Sequence, residues 1–424
     1  RLSTGALALL SACAPPHQAS RLPRLKALCY QGLTKPMKDN TKLTVSGRPH
    51  HRPAHPVNTP VERASTYLFP TYDDYLEGAK AITYGRLGTP THRAFEEAVT
   101  ALEGGYETRL ACSGLQACNA AILAFVAAGD HMLMTDAAYD PTRKFCEKFL
   151  KRFGVETTFY DPVASEEEEI TALMRDTTKV IFAESPGSLT FEVQDLPMLA
   201  RVAHAGGAKL VVDNTWAAGY FCKPIALGAD VSVQAATKYL VGHADCLVGT
   251  ITAADEQTAQ KIYYALLQLG SNVSADDAYL ALRGMRTLST RLERHQANAN
   301  ELVKWLKKRE EVTRIIHPAQ KSCPGHAHWR RDFTGASGLF GAVLKPVPLP
   351  ALKRFFNAFK IFGIGFSWGG YESLVLHTHP EKYRSASKWD EDGAVLRIHV
   401  GLEDVEDLKI DFERAFIALE NTLK

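Results

Sequence analysis

An aspartate and a lysine that close two consecutive apolar segments are the residues best suited to chemistry in this sequence. Asp213 ends the run 211–213, and Lys238 follows the strand-like segment 231–237. A carboxylate at a strand end keeps a pyridinium nitrogen protonated, and a lysine beyond the next strand can bind an aldehyde as a Schiff base. The pair therefore predicts an enzyme that uses pyridoxal 5′-phosphate (PLP).

Taken singly, each of these two residues also has a structural explanation. Most lysines are solvated surface charges, and an aspartate after a strand often caps a helix. Lys238, however, is flanked by apolar and small residues, where an unpaired ammonium is costly and an imine avoids the charge. Because Asp213 would keep the ring nitrogen protonated, the ring could accept electrons when a Cα–H bond breaks.

Two further segments are suited to binding anions. The run 112–115 opens a predicted helix, whose free N–H groups and positive dipole end favour a phosphate, and Thr237 offers a hydroxyl. An ordinary helix cap explains the run 112–115 equally well. Arg397 lies on the apolar strand 395–400, where it either forms a buried ion pair or binds an amino-acid carboxylate through two N–H groups.

The composition argues against several other classes of protein. The 424 residues carry a formal net charge of +2 and contain no basic stretch interleaved with aromatics and no apolar run of membrane-spanning length. The eight cysteines form no Cys-x-x-Cys pair, so we expect no disulfide framework. The histidine pairs 326/328 and 377/379 lack the further side chains that a metal site needs. The segment Gly363-Ile364-Gly365 lacks the strand–turn–helix spacing of a dinucleotide-binding motif. We expect no metal, nucleic-acid partner or membrane.

The elements that must position these residues follow from the hydrophobic pattern. From residue 115 to the strand 209–214, apolar strand-length segments alternate with helical ones, which predicts an α/β fold with a mostly parallel, doubly wound sheet. Ligands bind such sheets at the carboxyl ends of the strands, where Glu184 and Asp213 fall. A long amphipathic helix, 286–309, then precedes separated strands and predicts a smaller C-terminal α+β domain.

We expect four regions along the chain: a leader or upstream segment (1–36), an N-terminal arm (37–85), a PLP-binding large domain (86–285) and the C-terminal α+β domain (286–424). The first region contains basic but no acidic residues, as transit peptides do, whereas Met37 favours an upstream segment. We expect a cytoplasmic protein, or one of an organelle matrix if residues 1–36 are a transit peptide.

From about residue 38 to its C-terminus, the chain resembles the Cys/Met-metabolism family of PLP-dependent enzymes. The matching motifs follow the order and spacing of that family and are Tyr84-Gly85-Arg86-Leu87-Gly88-Thr89, Leu102-Glu103-Gly104-Gly105, Glu184-Ser185-Pro186-Gly187-Ser188, 212–219, 234–243, Asp332-Phe333-Thr334-Gly335, 367–373 and 397–404.

The resemblance implies a fold-type-I, PLP-dependent transferase-like fold in a homotetramer whose active sites lie between paired subunits. In the family's pattern Lys238 and Tyr139 are catalytic, and Tyr139 stacks on the cofactor ring. Tyr84 and Arg86 would reach the phosphate of the neighbouring subunit. The other positions would hold the cofactor or line the substrate side, namely Ser113, Gly114, Leu115, Asp213 and Thr237 for the cofactor and Ser367, Trp368 and Arg397 for the substrate.

Three departures from the family's γ-acting members point to one reaction. Those members carry glutamate, asparagine and serine where this chain has Phe366, Ser188 and Ala235. An apolar residue at 366 favours β-elimination, which needs no second deprotonation at Cβ. We therefore expect β-elimination of L-cystathionine to L-homocysteine, pyruvate and ammonia, within transsulfuration and methionine biosynthesis. The alternatives are a cysteine-S-conjugate β-lyase, a cysteine desulfhydrase, a γ-lyase of the same family, or a PLP-binding regulatory scaffold.

Overall fold

The structure is a computed structural model that describes residues 36–49, 54–76, 82–164 and 166–423. The expected leader lies outside the described residues except for Pro36. The helices, in chain order, are α1 (Asp39–Val45), α2 (Tyr72–Leu76), α3 (Pro90–Glu103), α4 (Gly114–Leu123), α5 (Asp140–Lys144), α6 (Glu167–Thr171), α7 (Leu196–Ala205), α8 (Glu256–Gln268), α9 (Ala275–Met285), α10 (Leu288–Leu306), α11 (His326–Asp332), α12 (Leu349–Ala358) and α13 (Val405–Leu423).

The strands form two separate sheets. They are β1 (Glu107–Ala111), β2 (His131–Thr135), β3 (Glu156–Tyr160), β4 (Thr178–Glu184), β5 (Lys209–Asp213), β6 (Val231–Gln234), β7 (Gly249–Ala253), β8 (Val312–Ile316), β9 (Leu339–Leu344), β10 (Leu374–Thr378) and β11 (Val395–His399).

The larger sheet has the order β1-β7-β6-β5-β4-β2-β3. The five strands β6, β5, β4, β2 and β3 are parallel, and β7 runs antiparallel to both of its neighbours. Successive side chains of β5 pack in different hydrophobic clusters, Val211 in one and Val212 in the other. Both faces are therefore covered, which explains the continuous apolar runs of these strands and confirms the predicted doubly wound sheet.

The smaller sheet is antiparallel, in the order β10-β11-β9-β8. Phe340 of β9 and Ile398 of β11 pack in a third hydrophobic cluster with Phe355 of α12 and Phe412 and Phe416 of α13. The predicted fold class, a large α/β part followed by a smaller α+β part, is confirmed; the domain boundaries stay a prediction.

Three local expectations differ from the structure. The predicted helix 140–154 is divided into α5, a π-helical turn (Phe145–Phe149) and a 3₁₀ turn (Leu150–Phe153). The predicted helix 165–176 is limited to α6. The strands β1 and β7, which form one end of the large sheet, were not predicted. The sequence of β7, Gly-Thr-Ile-Thr-Ala, has a single large apolar side chain. Within the described ranges, no helix has the length and apolarity to cross a bilayer.

Candidate active site

The carboxyl ends of the parallel strands bring the main polar residues to one edge of the large sheet. Glu184 and Asp213 are register partners at the ends of β4 and β5. The chain leaves β6 at Gln234 and reaches Lys238 four residues later. The site thus forms at the edge where open α/β sheets bind their ligands.

Asp213 is buried and held by three donors. The Thr215 N–H (2.9 Å) and hydroxyl (2.5 Å) both donate to Oδ1, and the Cys118 thiol lies 3.5 Å from Oδ2. Burial raises the pKa of Asp213, while the hydrogen bonds from Thr215 and Cys118 oppose the rise. Sequence reasoning missed both partners; the Asp-x-Thr spacing, typical of an Asx turn, was a signal for Thr215.

Lys238 lies among the residues expected on the substrate side. Its Nζ donates to Ser367 Oγ at 2.9 Å and lies 5.3 Å from the centroid of the Trp368 ring. Burial and the charge of Arg397 lower the pKa of Lys238 to about 8, against the opposing charge of Asp213. A larger fraction of this amine is therefore neutral near physiological pH than for a surface lysine.

Gly369 allows the segment that carries Ser367 and Trp368 to lie against Lys238. It has a positive φ of +89°, and a Cβ at this position would lie 2.9 Å from Lys238 Cα. Its N–H donates to His399 Nε2 at 3.1 Å. A side chain at position 369 would therefore separate Lys238 from Ser367.

Arg397 is held by main-chain carbonyls. One Nη atom donates to the oxygens of Gly365 (3.1 Å), Phe366 (2.8 Å) and Ser367 (3.0 Å). Burial lowers the pKa of Arg397 to about 10. No acidic side chain of the described residues forms an ion pair with Arg397, so the buried ion pair considered for it is not formed. The other guanidinium nitrogens are available for a carboxylate.

The start of α4 has the features of an anion site. Ser113 Oγ accepts the Gln116 N–H at 3.1 Å, and Gly114 and Leu115 occupy the first two helical positions, whose N–H groups have no acceptor in the helix. A Cβ on Gly114 would lie 2.3 Å from Ala235 Cβ, so only glycine allows this close packing. The Thr237 hydroxyl accepts the Val248 N–H (2.9 Å) and donates to the Val248 carbonyl (3.2 Å); its role toward a phosphate stays a prediction.

The Tyr139 backbone is hydrogen-bonded to a partly buried carboxyl group, Glu184, that sequence reasoning left without a role. Its N–H donates to Glu184 Oε2 at 2.7 Å, and its side chain is half-exposed. Burial and the adjacent Asp213 raise the pKa of Glu184 well above its usual value. Burial and Glu184 also raise the pKa of Tyr139, against the nearby charge of Arg397. Tyr139 therefore keeps its phenolic proton at neutral pH.

The structure does not bring Tyr84, Arg86 or the Phe366 side chain into this cluster. Arg86 Nη1 donates to the Leu267 carbonyl at 3.3 Å, and both Tyr84 and Arg86 line a separate cavity of about 390 Å³. Phe366 is 90% exposed, so its ring forms no apolar wall within one chain. The expectation that Tyr84 and Arg86 serve a neighbouring subunit stays a prediction.

The two histidine pairs lie away from these residues. His326 and His328 lie on α11, where His326 contacts the Pro318 carbonyl and His328 contacts Asp195. The rings of His377 and His379 are 4.4 Å apart, and His379 contacts Glu381. In the part of the chain that the structure describes, no group of three or more histidine, cysteine or carboxylate residues could hold a metal ion.

The arrangement fits PLP by the chemistry of its donors. Oδ1 of Asp213 has two donors and Oδ2 only a thiol, so Oδ2 can still accept a pyridinium N–H. The start of α4 offers N–H groups to a phosphate, and the lowered pKa of Lys238 suits an amine that reacts with an aldehyde. Fold and site together define a PLP-dependent enzyme of the fold-type-I class.

Comparison with known proteins identifies the family. Residues 40–417 match the model of the Cys/Met metabolism PLP-dependent enzymes, and the chain belongs to this family. A cystathionine β-lyase from Bordetella avium is 43% identical over 85% of this chain and 92% of its own length. The solved structure of a cystathionine γ-lyase from Lactobacillus plantarum, complexed with L-serine, has a TM-score of 0.83 at 29% identity and covers 91% of this chain and all of its own.

One similar protein has a different named activity. An L-alanine/L-glutamate racemase from Wolbachia pipientis is 38% identical over 90% of this chain and 98% of its own length. The family, the use of PLP and the predicted class of enzyme are thus confirmed, whereas the choice of reaction rests on particular residues of the site.

Proposed function

We propose that this chain catalyses the β-elimination of L-cystathionine to L-homocysteine, pyruvate and ammonia. The observation that carries the proposal is the position of Lys238, an amine of lowered pKa between Asp213 and the group Ser367, Trp368 and Arg397. The similarity to a cystathionine β-lyase over most of both chains supports this substrate.

The residues divide into those that hold the cofactor and those that act on the substrate. The N–H groups at Gly114 and Leu115, with the Ser113 and Thr237 hydroxyls, would hold the phosphate, and Asp213 would hold the ring nitrogen. When bound, PLP supplies an aldehyde for an amine and a ring that accepts electrons from Cα. A regulatory scaffold would not need a lysine of lowered pKa at this position.

Arg397 and Lys238 would act on opposite ends of the amino-acid group. The free guanidinium nitrogens of Arg397 bind the α-carboxylate, while the three carbonyls at 365–367 fix the orientation of the side chain. Lys238 Nζ removes the proton from Cα, and Ser367 Oγ at 2.9 Å orients this nitrogen. Tyr139, which keeps its phenolic proton, donates a hydrogen bond near the substrate amine.

The assembly and location are part of the same proposal. Tyr84 and Arg86 would complete the phosphate site of a neighbouring subunit in a homotetramer, which is supported by their position apart from Lys238 on an accessible cavity. We place the protein in the cytoplasm.

Product analysis tests the reaction. Purified, PLP-loaded protein is incubated with L-cystathionine, and pyruvate and 2-oxobutyrate are quantified; Lys238→Ala is the negative control. Pyruvate is expected, whereas 2-oxobutyrate would indicate a γ-lyase. L-Cystine and L-cysteine distinguish the S-conjugate lyase and desulfhydrase alternatives, and conversion of L-alanine to D-alanine without pyruvate from cystathionine would replace the proposal by a racemase.

A further inference from the structure

Asp136 directly follows β2 and binds a distant loop of the chain. It is 1% exposed, and its carboxylate accepts the backbone N–H groups of Ser385, Ala386 and Ser387 at 2.8–3.0 Å. The hydroxyls of Ser385 (3.0 Å) and Ser387 (2.9 Å) also donate to it. Successive N–H groups that converge on one anion form a strong binding site for a carboxylate.

A second carboxylate holds the same loop. Arg384 donates to Glu192 Oε1 at 2.6 Å, and both side chains of this pair are nearly fully buried. Residues 384–387 are thus held by Asp136 and by Glu192, and we call them the 384–387 segment. Arg143, which donates to Asp136 Oδ1 at 2.7 Å, completes the charge balance around Asp136.

Both ends of this connection lead to residues of the active site. Asp136 is three residues before Tyr139, whose N–H is fixed by Glu184. The 384–387 segment lies in the loop between β10 and β11, and β11 carries Arg397. The loop therefore joins the turn that presents Tyr139 to the strand that presents the carboxylate-binding arginine.

We propose that Asp136 is a positioning residue, which fixes Tyr139 relative to Arg397 by binding the 384–387 segment and thereby sets the affinity of the site for an amino-acid substrate. This inference rests on the proposed function for its kinetic test. Asp136 is a buried carboxylate outside the catalytic cluster, and its loss should affect substrate binding more than the chemical step. The start of α4, which would hold the phosphate, is on a different element, so loss of Asp136 should change PLP binding less than substrate binding.

The variant Asp136→Asn tests the role, because asparagine keeps one carbonyl oxygen but loses the charge and the second acceptor. With L-cystathionine we expect KM to rise about tenfold while kcat changes by less than about threefold, the pattern of binding lost equally in the ground and transition states. The affinity for PLP, followed by absorbance, should change less than KM does. The double variant Ser385→Ala/Ser387→Ala, which keeps the backbone donors, should give an intermediate KM.

Asp195→Asn is the matched control. Asp195 also links distant parts of the chain, since it caps α7 through the Met198 N–H and binds Arg331 of α11, but it is not near Tyr139 in sequence. This variant should lose stability and keep the wild-type KM. If Asp136→Asn shows faster hydrogen exchange at 385–387 and yet a wild-type KM, or if both variants raise KM alike, the positioning role is wrong.

Failure of the proposed function gives a different result. If the wild-type protein releases no pyruvate from L-cystathionine, the reaction is wrong, but binding of L-alanine to the PLP-loaded protein can still be titrated by absorbance. Asp136→Asn should weaken that binding by the same factor of about ten, and unchanged binding would overturn the positioning role.

Discussion

Glu184 and Asp213 lie side by side as register partners at the ends of β4 and β5, and the chain uses the two carboxyl groups differently. Asp213 accepts the N–H and hydroxyl of Thr215, whereas Glu184 accepts the N–H of Tyr139. Burial raises the pKa of both groups, and the charge of Asp213 adds to the rise at Glu184. Two adjacent carboxyl groups with restricted access to water cannot both ionise at low cost, so Asp213 is the one suited to stay charged opposite a cationic ring.

The first prediction concerns Asp213. Asp213→Asn removes the charge that holds a pyridinium, so kcat for pyruvate release should fall by about 10²-fold or more, as for loss of a main electrostatic contact in a catalytic site. Thr215→Val keeps the Thr215 N–H donor but removes the hydroxyl, which also accepts the Ala235 N–H at 2.8 Å, and should have a smaller effect. Rates measured with PLP in excess check this, and a wild-type rate for Asp213→Asn would refute the assignment.

The second prediction concerns the pH dependence of stability in the PLP-free protein. The pKa of Lys238 in the folded protein, about 8, is below its ordinary value of 10.5. The unfolded chain therefore binds the proton more tightly, so this group destabilises the fold below pH 8 and the penalty disappears as pH rises toward 10.5. Lys238→Met should be more stable than the wild-type protein at pH 7 by about 3 kcal/mol.

The same pair of proteins provides the control for this effect. Denaturant unfolding of both, without PLP, at several pH values between 7 and 10.5 measures the difference. The difference should shrink as pH rises through this range. A constant difference would show that Lys238 has an ordinary pKa in the folded protein.

The third prediction concerns Arg397, whose orientation depends on three carbonyls. Lysine at this position cannot donate to these carbonyls and to a carboxylate in the same fixed geometry. Arg397→Lys should raise KM for L-cystathionine about tenfold or more, with a smaller change in kcat. Steady-state kinetics checks this, and an unchanged KM would mean that another group binds the α-carboxylate.

The sequence was sufficient to locate the site because its main residues follow strands with strong apolar patterns. The predicted strands 131–136, 156–160, 179–184 and 209–214 correspond to β2, β3, β4 and β5. Since parallel strands end at one edge of a sheet, Glu184 and Asp213 were expected together. Lys238 and Arg397 were singled out because a charge among apolar residues needs a specific partner.

The remaining contacts could not be read from local patterns. Cys118 reaches Asp213, and Asp136 reaches Ser385, across large separations in sequence. Such pairs depend on how the elements pack, and a buried cysteine or an aspartate after a strand has many ordinary explanations. The strand β7 was missed for a different reason, because its alternating threonines lack a hydrophobic signal.

The fourth prediction concerns Gly114, which packs against Ala235. In Gly114→Ala, the new Cβ would lie 2.3 Å from Ala235 Cβ and must displace the start of α4 from the segment before Lys238. PLP affinity should fall about tenfold or more, since the displaced N–H groups would no longer point at the phosphate. Gly104→Ala is the control: it has a positive φ and no atom within 4 Å, so it should cost stability but not PLP affinity.

The fifth prediction concerns the proposed sharing of sites between subunits. Arg86→Ala and Lys238→Ala should each inactivate the protein. A mixed pair contains one subunit of each variant, and if Arg86 serves the neighbouring subunit, one site of this pair carries both substitutions and the other carries neither. Unfolding and refolding the two inactive variants together at equal concentration should therefore restore about a quarter of the wild-type activity, because about half of the pairs are mixed and half of their sites are intact. Each variant refolded alone is the control. If the mixture stays inactive while refolded wild-type protein recovers its activity, Arg86 acts within its own chain or outside the site.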